Sequence, residues 1–180
     1  MRGSDSASGG GSIVTINGGS STLKFALFRA SAPPARELSG LIDRIGSSHD
    51  AVMSMHEQAG RDDRRTIAAP DHAACIGPIM DYLKDRLARE PLLAIGHRIV
   101  HGGANYRLPQ RVTPMVMEEL HRLSPYDPEH LPAEIALLKE CARRYPGLPQ
   151  VACFDTAFHR DMPAVARLLP IPRHYEKLGI

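Results

Sequence analysis

Residues 13–28 read IVTINGGSSTLKFALF, and this stretch decides the fold. Ile13 to Ile16 form a short run of β-branched side chains, Asn17-Gly18-Gly19-Ser20-Ser21 is turn chemistry, and a second apolar alternation resumes at Leu23 and runs to Phe28. Two such runs around a glycine turn predict a β-hairpin. Gly18 and Gly19 let the backbone turn tightly and expose N–H groups, which makes a concavity for anions. With the second strand beginning near Ser20, a period of two sets Ser20, Thr22 and Lys24 on one face beside the Asn17 amide. Leu23, Phe25 and Leu27 then face a core. Two hydroxyls and an ammonium together suit an oxyanion, while a plain hairpin with its polar face in water is the other reading. No GK[ST] follows the glycines, so the segment is not a phosphate-binding P-loop.

Outward from the hairpin, residues 37–42, 51–55 and 66–68 read as further strands. Ile76, Ile79, Met80, Leu83 and Leu87 fall on one helical stripe and predict a helix over 71–88, with Pro70 at its start. Residues 92–100 read as a buried strand ended by His101-Gly102-Gly103, where the glycines turn the chain. Helices are expected over 114–123 and 132–145, the second with Ile135, Leu138 and Ala142 along one side, and a strand over 150–154. Strands first, then helix and strand in alternation, indicate an α/β domain with a mixed sheet. Residues 1–12 (MRGSDSASGGGS) are Gly- and Ser-rich without apolar periodicity and read as a flexible leader or tag, which leaves 13–180 as the domain.

The 180 residues are enough for one core, and 43% hydrophobic with 23% charged residues is a globular composition. A formal charge of +2 from 22 basic and 20 acidic residues does not point to nucleic acid. No apolar run reaches the roughly 20 residues that span a bilayer, so neither nucleic acid nor membrane is an expected partner and a cytoplasmic protein is the default. Cys75, Cys141 and Cys153 are odd in number and set among apolar residues, which predicts reduced, buried thiols.

Two further segments carry chemistry. In Gly96-His97-Arg98-Ile99-Val100-His101 an arginine closes an apolar strand, and a guanidinium there calls for a planar anion, whether a bound carboxylate or phosphate or an Asp or Glu of the domain itself. His97 and His101 lie four apart on a strand, which does not converge on a metal. Asp155, just beyond the last strand, is placed either to hold Mg²⁺ largely through its waters or to cap the next helix. A phosphate-cradling hairpin, a guanidinium at one strand end and a carboxylate at another are together the parts of phosphoryl transfer.

INGGSSTLKF (16–25), GHRIVHGG (96–103) and CFDTAFHRDMP (153–163), in this order and spacing, make the chain resemble the N-terminal half of the acetate kinase (acetokinase) family over residues 13–180. The resemblance implies a ribonuclease-H-like domain of the actin-like ATPase and sugar kinase superfamily, truncated before the second, adenine-binding domain. It implies reversible phosphoryl transfer between ATP and acetate, giving ADP and acetyl phosphate, with Mg²⁺ (or Mn²⁺) and a cytoplasmic homodimer. Carried over by position, Asn17, Ser20, Thr22 and Lys24 fall on the phosphate-contacting hairpin, with Asn17 also at the metal. Arg98 falls on the arginine for the acetate carboxylate, Val100 on the methyl pocket, and Asp155 on the catalytic, magnesium-associated aspartate. Thr22 stands where serine is more usual and keeps the hydroxyl. Where the family commonly has Pro-Leu-His-Asn-Pro this chain has Pro125-Tyr126-Asp127-Pro128, without the histidine, so no histidine role is assigned there. A propionate or butyrate kinase would share the same hairpin and arginine. A non-catalytic phosphate- or acetate-binding fragment is the reading from another class, and the 180 residues alone are expected to have little or no activity.

Overall fold

The β-branched run at residue 13 becomes the middle of an eight-stranded sheet. In the computed structural model, which describes residues 10–159, 161–167, 170–172 and 174–175, β1 (Ser12–Gly18) pairs antiparallel with β2 (Thr22–Arg29), Gly18 opposite Leu23 and Ser12 opposite Arg29. From β2 the chain continues as an antiparallel meander through β3 (Ala35–Asp43), β4 (Ala51–Glu57) and β5 (Asp62–Ile67). On the other flank of β1 lie β6 (Leu92–Ile99) and β8 (Gln150–Phe154), both parallel, and the two-residue β7 (Gln110–Arg111) closes that edge. The order is β5-β4-β3-β2-β1-β6-β8-β7. The expected mixed sheet is therefore present, and its three parallel strands, β1, β6 and β8, all end on the same side.

Helices α1 (Ile76–Leu87), α2 (Pro114–Leu123) and α3 (Leu131–Arg144) fill the connections, and the short α4 (Ala164–Arg167) follows β8. Alternation on the strands drives the core: Val14, Ile16, Leu23, Phe25 and Leu27 are buried and pack with Ile76, Ile79, Met80 and Leu83 of α1. A second cluster joins Ile99 and Phe154 at the strand ends to Leu120 and Leu123 of α2 and to Leu131, Ile135 and Leu138 of α3. Each fully buried aliphatic side chain contributes on the order of 2 kcal/mol of transfer free energy. This second cluster is the floor on which the ends of β6 and β8 rest. Thr113 caps α2 by accepting the Val116 N–H at 3.3 Å, with Pro114 at the first helical position.

Several boundaries differ from the sequence expectation. The first helix opens with a 3₁₀ turn (Ala73–Cys75) where Asp71 Oδ1 accepts the Ala74 N–H at 2.8 Å, and regular α-helix begins only at Ile76. β5 begins at Asp62 rather than at residue 66, because an edge strand accommodates the charged run Asp62-Asp63-Arg64-Arg65. β1 starts at Ser12, whose N–H donates to the Pro91 carbonyl at 2.9 Å; residues 1–9 of the expected leader lie outside the described residues. Cys75 and Cys141 are buried, and burial pushes both thiols up to about 12. Cys153 corrects the expectation: it is exposed, because its position on β8 faces away from the helices. Among the described residues no helix is long and apolar enough to cross a membrane.

Candidate functional site

Because β1, β6 and β8 run parallel, their carboxyl ends collect at one side of the sheet, the side where open α/β sheets gather ligands. Asn17 sits at the end of β1 directly opposite Lys24 of β2. Arg98 lies near the end of β6, one step past the pairing of Ile16 with His97, and Asp155 follows the last residue of β8. Thr22 opens β2 and shares a face with Lys24 by the alternation of buried Leu23 and Phe25. Together with Gly18, Gly19 and His130 these side chains line one cleft of about 410 Å³. Residues separated by more than 130 positions in sequence thus meet around a single space.

Two sequence expectations need correction at the hairpin. Ser20 does not share the Thr22–Lys24 face: β2 begins at Thr22, and Ser20 is exposed at the turn, outside the cleft lining. The Gly19 N–H is not available to an anion either, since it donates to the Thr22 carbonyl at 2.7 Å and closes the turn. The turn presents the Asn17 and Thr22 side chains together with the Gly18 and Gly19 backbone. The glycine is needed for close approach, because a Cβ on Gly19 would stand 2.8 Å from Thr22 Oγ1 and one on Gly18 3.0 Å from Leu137 of α3. His72, which the sequence did not single out, holds the turn from outside through Nε2 to the Gly19 carbonyl at 2.7 Å.

Arg98 is held on two sides. Its Nε donates to Asp155 Oδ2 at 2.8 Å, Nη2 donates to the same oxygen, and Nη1 donates to Glu134 Oε1 at 3.4 Å. Bonding to Asp155 is the main reason its basicity is raised further. Of the two sequence readings of Arg98, pairing with acids of its own domain is present, and about a third of its side chain stays exposed at the cleft. Asp155 opens the 3₁₀ turn Asp155–His159 and turns its half-exposed carboxylate to Arg98. Val100 lies one residue beyond β6, half-buried against the second core cluster and outside the cleft lining. The glycines after it turn the chain as expected, Gly103 at φ 63°, and the Gly102 N–H donates to Thr156 Oγ1 at 3.1 Å, which ties the end of β6 to the residue beside Asp155.

Two more residues were missed from sequence. Glu134 on α3 is buried, only 2% exposed, and accepts the Val100 N–H on both carboxylate oxygens at 3.2 and 3.1 Å besides Arg98 Nη1. Burial pushes its carboxyl up to about 7, against the opposing pull of the Val100 N–H and the Arg98 charge. The signal was legible: Glu134 interrupts the apolar stripe Leu131, Ile135, Leu138 of its helix, where a carboxylate has no packing reason to be. His130 is the second; its Nδ1 lies 2.9 Å from Asp127 Oδ1, and the segment after the 3₁₀ turn Ser124–Tyr126 brings His130 to the cleft. Tyr126, in the segment that departs from the family pattern, is 76% exposed. His97 is buried next to Gln150, and burial pushes it down to about 4, so it is neutral at pH 7.

Among the described residues no group of three or more His, Cys, Asp or Glu side chains is placed to hold a metal ion. The cleft offers instead one carboxylate (Asp155) and one amide oxygen (Asn17). That donor set fits Mg²⁺, which keeps waters and binds through one or two carboxylates plus substrate phosphates.

Comparison with known proteins shows the family and the fold. The model of the acetokinase family matches residues 12–180. An acetate kinase of Deinococcus radiodurans is 38% identical over 93% of this chain and 42% of its own length, and one of Methylocella silvestris is 37% identical over 93% and 44%. Among solved structures, Porphyromonas gingivalis acetate kinase superposes with a TM-score of 0.82 at 25% identity, covering 94% of this chain and 43% of its own. A propionate kinase from Francisella tularensis superposes with 0.79 at 28%, covering 93% and 43%. The chain thus spans less than half the length of these relatives.

Proposed function

The chain belongs to the acetokinase family, and from that premise we propose that it is the carboxylate-binding half of an acetate kinase, which transfers the γ-phosphoryl group of ATP reversibly to acetate. One observation carries the reading. Donors from β1, β2 and β6 and the acid that follows β8 line a single cleft at the carboxyl ends of the parallel strands.

In this reading the planar fork of Arg98 binds the acetate carboxylate and holds one oxygen in line with the γ-phosphorus. A new P–O bond forms to that oxygen as the bond to the bridging oxygen of ADP breaks, and the electron pair leaves with ADP. Lys24, the Thr22 hydroxyl and the Asn17 amide donate to the phosphoryl oxygens as their charge redistributes. Val100, two residues past the arginine and half-buried just outside the cleft lining, is the side chain proposed to wall off the methyl group, and its bulk would limit acyl length. Mg²⁺, or Mn²⁺ in its place, supplies charge neutralisation at the phosphates when bound. Asp155 and Asn17 are the residues that would hold it. Family membership further supports a cytoplasmic homodimer, which sedimentation at several concentrations tests.

The test is acetyl phosphate formation, trapped as the hydroxamate, by the whole enzyme of which this is a part. Arg98→Ala is expected to lower turnover about 10²- to 10³-fold; unchanged turnover and acetate affinity would overturn the assignment. The likeness to a propionate kinase makes acyl length the second question. Rates falling from acetate to propionate to butyrate support the acetate reading, and a maximum at propionate replaces it.

A further inference from the structure

We infer that Glu134 is a positioning residue, a buried clamp from α3 that fixes the Arg98 guanidinium and the end of β6 in the geometry that receives the substrate carboxylate. The inference rests on the proposed role of Arg98 and adds what holds Arg98 in place. A guanidinium has five N–H donors. Among the described residues Nε and Nη2 each give one to Asp155 and Nη1 gives one to Glu134, which leaves one N–H on each terminal nitrogen for a ligand.

The two acids are not equivalent. Asp155 is half-exposed and belongs to a short 3₁₀ turn, and in the proposed function it attends the metal, so it cannot be a permanent tether. Glu134 is rooted in a 14-residue helix and nearly sealed from water. The same carboxylate grips the backbone N–H of Val100, two residues on, so one group sets both the cation and the neighbouring wall. A buried carboxylate among Leu131, Ile135 and Leu138 costs desolvation that an apolar residue of similar size would avoid. That cost accords with a role beyond packing. The charged groups facing it are Arg98 on β6, with Asp155 behind it, and Asp127 and His130 in the segment that leads into α3.

The test compares the 180-residue chain with its E134Q, E134A and R98A forms. Side-chain ¹⁵N spectra of Arg98 report rotation about its terminal bonds, and titration with ¹³C-acetate reports affinity. Glutamine still accepts the Val100 N–H, so E134Q should melt no lower than wild type and should keep the hydrogen-exchange protection of Val100. Its Arg98 terminal nitrogens should nevertheless enter fast rotation, and acetate should bind about tenfold more weakly, the worth of one charge-assisted hydrogen bond. Removing a negative charge beside an anion site favours the anion on charge alone, so a loss of affinity isolates the orienting role. E134A, which leaves the Val100 N–H without its acceptor, should in addition lower the melting temperature. Unchanged Arg98 rotation in E134Q, or acetate affinity equal to or above wild type, overturns the inference. R98A separates the two claims: weakened acetate in R98A with none in E134Q removes the clamp and leaves the acetate site standing. Acetate affinity unaffected by R98A, or no acetate binding by the wild type, removes the acetate site, and Arg98 rotation in E134Q then decides the clamp alone.

Discussion

Glu134 has a consequence for stability as well as for the site. Its carboxyl is raised from the ordinary value near 4.5 to about 7 in the folded chain, so the folded state binds the proton more tightly than the unfolded one. The resulting stability is present below about pH 4.5 and is lost as pH rises to 7, a loss of about 3 kcal/mol in total. His97, lowered to about 4, acts in the opposite sense, adding stability as pH rises from 4 to 6.5. The readout is therefore a difference: E134Q should gain stability relative to wild type as pH goes from 4.5 to 7 in urea melts, and parallel pH profiles would contradict the raised carboxyl. Arg98, Asp155, Lys24 and Thr22 were legible as residues because each is hard to explain as core. Glu134 was legible only as an anomaly in a helical stripe. His130 was passed over although Pro128-Glu129-His130-Leu131-Pro132 keeps the Pro-x-His-x-Pro spacing of the family pattern, three residues downstream of where that pattern was sought; its place at the cleft depends further on a 3₁₀ turn and on where α3 docks.

Elements were read where periodicity is strong. The hairpin follows from alternation around a glycine turn, and the strand over 150–154 and the helix over 114–123 have the expected bounds. β7 was not legible, because two residues carry no period and only pairing with β8 defines them. The β2–β3 pairing hides a further constraint: Gly40 lies opposite Phe25, and the phenyl ring fills the space a Cβ would take. Gly40→Val should destabilise the chain by about 1–3 kcal/mol, measured as a fall in urea midpoint, through crowding of Phe25. At the end of β1, Gly19→Ala should leave the melting temperature nearly intact while weakening phosphate binding, because the Cβ displaces the Thr22 hydroxyl from the cleft. Wild-type phosphate affinity in that variant would mean that Thr22 is not a ligand.

For the whole molecule, topology does what no local signal does. A strand order that places β1 between an antiparallel meander and two parallel strands brings Asn17, Arg98 and Asp155 to one edge. The mixed sheet could be expected from the alternation of elements, whereas the cleft itself is a product of long-range pairing. The chain covers 43% of the relatives' structures it matches, and in the proposed reaction the nucleotide needs more than this half. Acetyl phosphate formation by the 180 residues alone is accordingly expected to be negligible; turnover by the isolated chain would refute that division of labour. The most direct test of the shared cleft is an amide chemical-shift titration of the chain with acetyl phosphate. The account predicts shifts concentrated at Asn17, Thr22, Lys24, Arg98 and Asp155 and abolished by Arg98→Ala, whereas shifts scattered over the sheet, or none at these five residues, would contradict it.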